Sequence, residues 1–240
     1  MDMKISGSGV IPSGEYKGIS ISGSGRIDGF VRCDTLSVSG ACHGGSVDCH
    51  DMMKVSGSCR FDGEIRTASL AVSGSLNCTD LYATKDVRVS GGVKCTGKMR
   101  CGELIVSGGA RAEQDIEAES VTIKGRLECE GLLNAENIEI EFSAGMKIGS
   151  IGGSNIVIRR RNEMSFDLLP LFRSIVTNSG KCITVDGGIE GDTIAIEGVV
   201  AKRVSGNTVA IGEGCDIELV QYTENVEISP KSKVGTVEKV

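Results

Sequence analysis

Ten cysteines, two histidines and a strip of nine acids are the residues of this 240-residue chain best suited to chemistry. Thiolates could ligate a soft metal or join as disulfides. A tetrahedral metal site needs four converging ligands, commonly in C-x-x-C spacing, and that spacing occurs nowhere in the sequence. Two pairs, Cys42/Cys59 and Cys78/Cys95, share one separation along the chain. His43 and His50 have no Ser/Asp or Cys arrangement beside them that would make a catalytic group, and they read as surface or loop residues, His50 facing out. The acids are Glu113, Asp115, Glu117, Glu119, Glu128, Glu130, Glu136, Glu139 and Glu141, against only Lys124 and Arg126 in the same stretch. They read as a solvated outer face, or as a docking strip for a basic partner segment such as Arg159–Arg161 of a neighbouring copy. "GSGRIDG" (23–29) resembles a fragment of a phosphate loop but does not lead into a helix, so no nucleotide site is expected.

The elements that hold these residues come from a repeat. Ser22/Gly23, Ser39/Gly40, Ser56/Gly57, Ser73/Gly74, Ser90/Gly91 and Ser107/Gly108 recur at one constant step, with Lys124/Gly125 as a variant copy. Ile21, Val38, Val55, Val72, Val89, Val106 and Ile123 lie two before each glycine, and Ile19, Leu36, Met53, Leu70, Val87, Leu104 and Val121 two further back. Apolar residues two apart with polar ones between predict a strand with one buried face. Beyond the glycine the apolar phase slips by one, giving Cys42, Cys59 with Phe61, Leu76 with Cys78, Val93 with Cys95, Ala110 with Ala112 and Leu127 with Cys129. The slip marks a corner, and glycine tolerates the angles a corner needs. A third inward pair follows: Val31 and Cys33, Ile65 and Thr67, Tyr82 and Thr84, Met99 and Cys101, Ile116 and Ala118, Leu133 and Ala135, with Val47 and Cys49 one residue early in their copy.

Each copy offers three short strands that it cannot bury alone. Stacking the copies buries all three faces, which is an all-β, right-handed parallel β-helix of triangular rungs. All eight cysteines from Cys33 to Cys129 fall on inward positions, where cysteine serves as a small hydrophobe. Degraded copies of the first strand continue at "ENIEI" (136–140), "SNIVI" (154–158), "DTIAI" (192–196), "NTVAI" (207–211) and "ENVEI" (224–228). The expected organisation is therefore a regular β-helix over 1–158, an insert over 159–180 and a less regular continuation over 181–240.

The insert, with Met164, Leu168, Phe172, Ile175 and Val176 at helical spacing, predicts a short helical excursion within the gap from 158 to 194, which is about two rungs' worth of chain. Its candidate membrane or partner residues are Arg159, Arg160, Arg161, Phe166, Leu169 and Phe172, arginines for anionic headgroups and apolar side chains to dip between them. A net charge of −6 and no basic stripe with interleaved aromatics argue against nucleic acid. Without a signal pattern at the N-terminus or an 18-residue apolar run, a cytoplasmic protein is expected, membrane-associated if the insert touches lipid.

The end rungs of a β-helix expose unpaired backbone and open core. The candidate end-to-end interface is Met3, Ile5 and Val10 on one side and Val226, Ile228 and Val234 on the other. The N-terminal end is the one expected to be open, the C-terminal end being defended by Pro230, Lys231, Lys233 and Lys239.

The Ser-Gly corners, the three-faced 17-residue rungs and the short first copy resemble the bactofilins, polymer-forming bacterial cytoskeletal proteins. The resemblance is clearest over 5–140 and implies a right-handed β-helix that assembles end to end into nonpolar filaments without nucleotide or other cofactor, often at the membrane. It also implies partners that are further copies of the chain or a paralogous bactofilin. Its function would be a non-enzymatic scaffold. The alternatives are a capped rod serving as a binding platform and, less favoured, a β-helix acyltransferase, whose 18-residue coils of three hexads do not match a 17-residue step.

Overall fold

The computed structural model describes residues 1–161 and 182–240. Twenty-two strands run through these residues, every pairing parallel, from β1 (Asp2–Ile5) and β2 (Ser8–Ile11) to β21 (Asp216–Ile228) and β22 (Lys233–Lys239). The chain winds as a right-handed β-solenoid of about 13 turns. At roughly 4.8 Å per rung the rod is about 60 Å long.

The inward columns are the ones the sequence marks. Ile21, Val38, Val55, Val72, Val89, Val106 and Ile123 are all buried, and so are the partners two residues before them. The ladder carries on through the degraded copies, Ile138 pairing with Ile156, Ile156 with Ile194, Ile194 with Val209 and Val209 with Val226. The copy containing Val47 and Cys49 does shift, with a bulge between Cys49 and Met52 that carries exposed His50. A second copy shifts as well. Leu81 and Ala83, not Tyr82 and Thr84, point inward there, in register with Ile65 and Thr67. The Tyr82 ring instead lies on the surface, with the Arg66 guanidinium 5.4 Å from its centroid.

None of the seven corner glycines has a positive φ, so backbone freedom is not what selects them. Their role is steric. A Cβ at Gly40, Gly57, Gly74, Gly91, Gly108 or Gly125 would lie far inside van der Waals contact of the carbonyl oxygen of the glycine one rung earlier. That carbonyl accepts the N–H of the residue after the next corner glycine, as where Gly40 O receives Ser58 N at 2.9 Å. The corners therefore stack at the distance of a ladder hydrogen bond, and only a residue without a side chain fits between them.

Around the insert the sequence reading needs one correction. The strand β18 (Met146–Arg160) runs on through Arg159 and Arg160, whose Cα partners are Glu141 and Phe142. Ile156 and Ile158 pair directly with Ile194 and Ile196 of β19 (Ile183–Ile196), so the stretch between them adds one rung beside the insertion. The expected helical excursion itself, with Phe166, Leu169 and Phe172, lies in 162–181, outside the described residues.

Candidate functional site: the two ends of the rod

At the C-terminal end the last inward residues are Val226 and Ile228 on one face, Val234 on the second and Val237 on the third. Ile228 is 38% and Val237 43% exposed, while Val226 and Val234 are half-buried, so four aliphatic side chains of the core column reach the surface together. Among the described residues β22 pairs only with β21, and Asn225–Ile228 pair only with Thr208–Ile211 of β20 (Val199–Ile211). Their outer edges offer backbone N–H and C=O groups in parallel-ladder geometry.

The N-terminal end has the same architecture and is more closed. Among the described residues β1 pairs only with β3 (Gly14–Ile21) and β2 only with β4 (Ser24–Ile27). Ile5 and Ile11 are buried, Met3 is half-buried, and Val10, on the outward face, is 55% exposed. The balance is thus the reverse of the expectation that the N-terminal end is the open one. Pro230, Lys231 and Lys233 are exposed at the C-terminal end, Lys231 paired with Glu213 and Lys233 with Asp216.

Two tyrosines that the sequence reading passed over mark the ends of one inward column. From Cys33 through Thr67, Cys101 and Ala135 to Gly206, that column holds only small residues. Tyr16 begins it, half-buried, its hydroxyl donating to the Pro12 carbonyl at 2.8 Å. Tyr222 stands near the other end, with the Lys239 ammonium 6.0 Å above its ring. A large residue placed after a run of small ones is the signal that would have located both.

The chemical candidates along the shaft are mostly committed to packing. All eight cysteines from Cys33 to Cys129 are buried thiols. Cys42/Cys59 and Cys78/Cys95 are register partners as expected, and Cys33/Cys49 form a third pair that the shifted rung hides in the sequence. Within these pairs, the hydrogen bond to Cys49 and then burial hold the Cys33 thiol well above the usual range, and Cys59 and Cys78 are raised in the same way by Cys42 and Cys95. Cys101, whose column neighbour on the next rung is Ala118, is pushed up to about 12 by burial.

His43 Nε2 lies 2.7 Å from Asp62, both half-exposed, and Arg60 and then His43 hold the Asp62 carboxyl below the usual range. The acidic strip is largely neutralised within the chain. Glu113 meets Lys94 at 2.9 Å, Glu117 meets Arg100 at 3.3 Å, Arg111 bridges Glu128 and Glu130, and Asp115 faces Lys98. Arg159 pairs with Glu139 and Glu141 of its own chain, which corrects the docking role considered for it in a neighbouring copy. Arg160 packs over Gly198 and Gly214, while Arg161 is exposed. Among the described residues no helix is long and apolar enough to cross a membrane. A shallow groove of about 550 Å³ on the C-terminal half is lined by Gly191, Asp192, Arg203, Asn207 and Thr223 among others.

No family model matches the chain, and no solved structure matches it. It is similar to two uncharacterized proteins of Bacillus subtilis (strain 168). YhbE is 34% identical over 110 residues, which are 45% of this chain and 43% of YhbE. YhbF is 31% identical over 104 residues, 43% of this chain and 39% of YhbF. The matched stretch spans less than half the length of each of these relatives.

Proposed function

We propose that the chain is a non-enzymatic scaffold that assembles end to end through its terminal rungs, without nucleotide, into filaments of the kind the bactofilin resemblance implies. The observation that carries this reading is the last rung, where Val226, Ile228, Val234 and Val237 continue the core column into solvent beside strand edges that have no partner among the described residues. Burying such residues against a like rung gains about 25 cal/mol per Å² of apolar surface, and the strand edges supply backbone hydrogen-bonding groups along all three faces. The cytoplasm is the setting proposed for this scaffold, and a paralogous chain with the same rung would serve as a partner equally well. Contact with lipid through the segment after Arg161 belongs to the same proposal. The groove lined by Asp192, Arg203 and Asn207 favours a second reading, a rod whose shaft serves as a binding platform.

Sedimentation velocity across a concentration series without nucleotide separates the two. Species that grow with concentration support the scaffold. A single monomeric boundary at the highest concentration supports the platform.

A further inference from the structure

We propose that three cysteine pairs stacked on consecutive rungs, Cys33/Cys49, Cys42/Cys59 and Cys78/Cys95, are redox staples. A low-molecular-weight disulfide such as oxidised glutathione converts each pair to a rung-to-rung disulfide, which locks the shaft where its ladder is irregular. The staples belong to the shaft alone and hold whether or not rods assemble. Cys33 on β5 (Val31–Val38) is the Cα partner of Cys49 on β7 (Val47–Val55), and Cys42 on β6 (Ala41–Gly44) that of Cys59 on β8 (Ser58–Phe61). Cys78 on β10 (Ser75–Cys78) faces Cys95 on β13 (Gly92–Cys95) in the same way. Register partners in a parallel ladder stand about 4.8 Å apart at Cα with side chains on one face, inside the range that a disulfide bridges. The thiols of each pair already meet. The S–H groups of Cys59, Cys33 and Cys78 donate to Cys42, Cys49 and Cys95, and that contact holds the accepting thiols below the usual range in spite of burial.

Each pair is closed on itself. Cys49 is followed in its column by Thr67, Cys59 by Leu76 and Cys95 by Ala112. Cys101 and Cys129 are buried on the same inward faces, but Ala118 stands in register with the first and Ala112 and Ile148 with the second, so neither has a sulfur to bridge. The pairs also gather at the two irregular copies. The bulge before Met52 begins at Cys49, and Cys78 lies just ahead of Leu81, where the second copy runs one residue early. A ladder interrupted at these points holds consecutive rungs less firmly, so local opening starts there. Because the spans of the first two pairs overlap, the rung from Cys42 to Cys49 is tied to the rung before it through one face and to the rung after it through another.

The same opening admits the oxidant, since the closed rod buries all six sulfurs. One cysteine thiolate attacks the disulfide RS–SR, forming a mixed disulfide and expelling RS⁻. Its register partner then attacks the cysteine sulfur of that mixed disulfide and expels the second RS⁻. The two protons lost by the cysteines end on the departing thiolates, so two thiols are oxidised and one RS–SR is reduced to two RSH. A reducing cytoplasm keeps the pairs as dithiols until the disulfide pool rises.

The test uses a Cys182→Ser chain, which removes the one thiol that is not buried. The folded chain is incubated with oxidised glutathione, and a second sample is refolded from denaturant in its presence. Free thiols are then alkylated in denaturant, and the unreduced digest is read by mass spectrometry. The expected products are peptides linked 33–49, 42–59 and 78–95, with Cys101 and Cys129 alkylated. The oxidised rod is expected to melt several degrees higher, a shift that dithiothreitol reverses and that a Cys33→Ser/Cys42→Ser/Cys78→Ser variant does not show. Links between cysteines out of register, or loss of Cys101 and Cys129 as readily as the pairs, overturn the proposal. So does full alkylation of all six paired cysteines after both treatments. Correct links with no shift in melting overturn the stapling role.

Discussion

The shaft up to Gly125 and the stretch from Met146 to the end build the same rungs with different corners. In the first, the step is constant and each corner is a Ser-Gly or Lys-Gly pair locked against the corner before it. In the second, the steps vary, the turn from Ile196 to Ile211 falling short of a full copy, and the corners use Gly198 and Gly214 at φ +61° and +71°. Cores differ too. The first mixes cysteine, leucine and methionine with its valines and isoleucines, whereas the second is almost wholly isoleucine and valine. The inward columns run unbroken through both. What makes the solenoid is thus the stacking of inward pairs, while the corners decide how tightly each turn is drawn and what can be changed there.

That contrast can be broken at adjacent residues. A Cβ at Gly91 would collide with the Gly74 carbonyl, but one at Gly92 meets nothing within 4 Å. Gly91→Ala is therefore expected to destabilise the rod by about 1–3 kcal/mol, as overpacking against fixed neighbours does. Gly92→Ala should stabilise it by about 0.4–1 kcal/mol through a less disordered unfolded chain. At the entrance to the other region, Gly145→Ala, whose nearest contact would be the Cys182 carbonyl at 3.4 Å, should be close to neutral. Denaturant midpoints of the three variants give the ranking. Equal losses at Gly91 and Gly92 would mean that the corners are held by something other than close stacking.

A smaller effect sharpens the difference between the cores. The Cys101 thiol is raised from an ordinary 9.0 to about 12, so it stays protonated in the folded rod while the unfolded chain ionises. A raised folded value means that the contribution is complete below about pH 9 and is lost as pH climbs toward 12, at about 1.4 kcal/mol per unit. By pH 10 the parent chain should have lost about 1.4 kcal/mol that Cys101→Ala does not lose. Thermal melts of both at pH 8 and pH 10 check this, and parallel losses would contradict it.

The fold was legible because a strand with one buried face writes its period into the sequence, and here it does so repeatedly. The inward phase failed where a copy shifts by one residue without a mark in its spacing. Tyr82 read as core because it holds the repeat's inward position, but its copy runs one residue early, so Leu81 takes that place and the Tyr82 ring serves as a surface platform for Arg66. The corner glycines were found for the wrong reason, since a clash with a residue one full rung away leaves no mark in local conformation. Charge pairing was the least readable feature. The acidic strip looks unpartnered in sequence because its bases, Lys94, Arg100 and Arg159, sit one rung away. Which end lies open depends on how far side chains such as Ile5 and Val237 are covered by their neighbours, and composition alone does not record that.

The central claim is that the exposed core of the last rung drives assembly. Negative-stain electron microscopy of the parent chain beside an Ile228→Glu/Val237→Glu variant, without nucleotide and at matched concentration, tests it most directly. The account predicts thin unbranched filaments from the parent and single rods of about 60 Å from the variant, with unchanged strand content by circular dichroism. Filaments from both, or single rods from both, would contradict it.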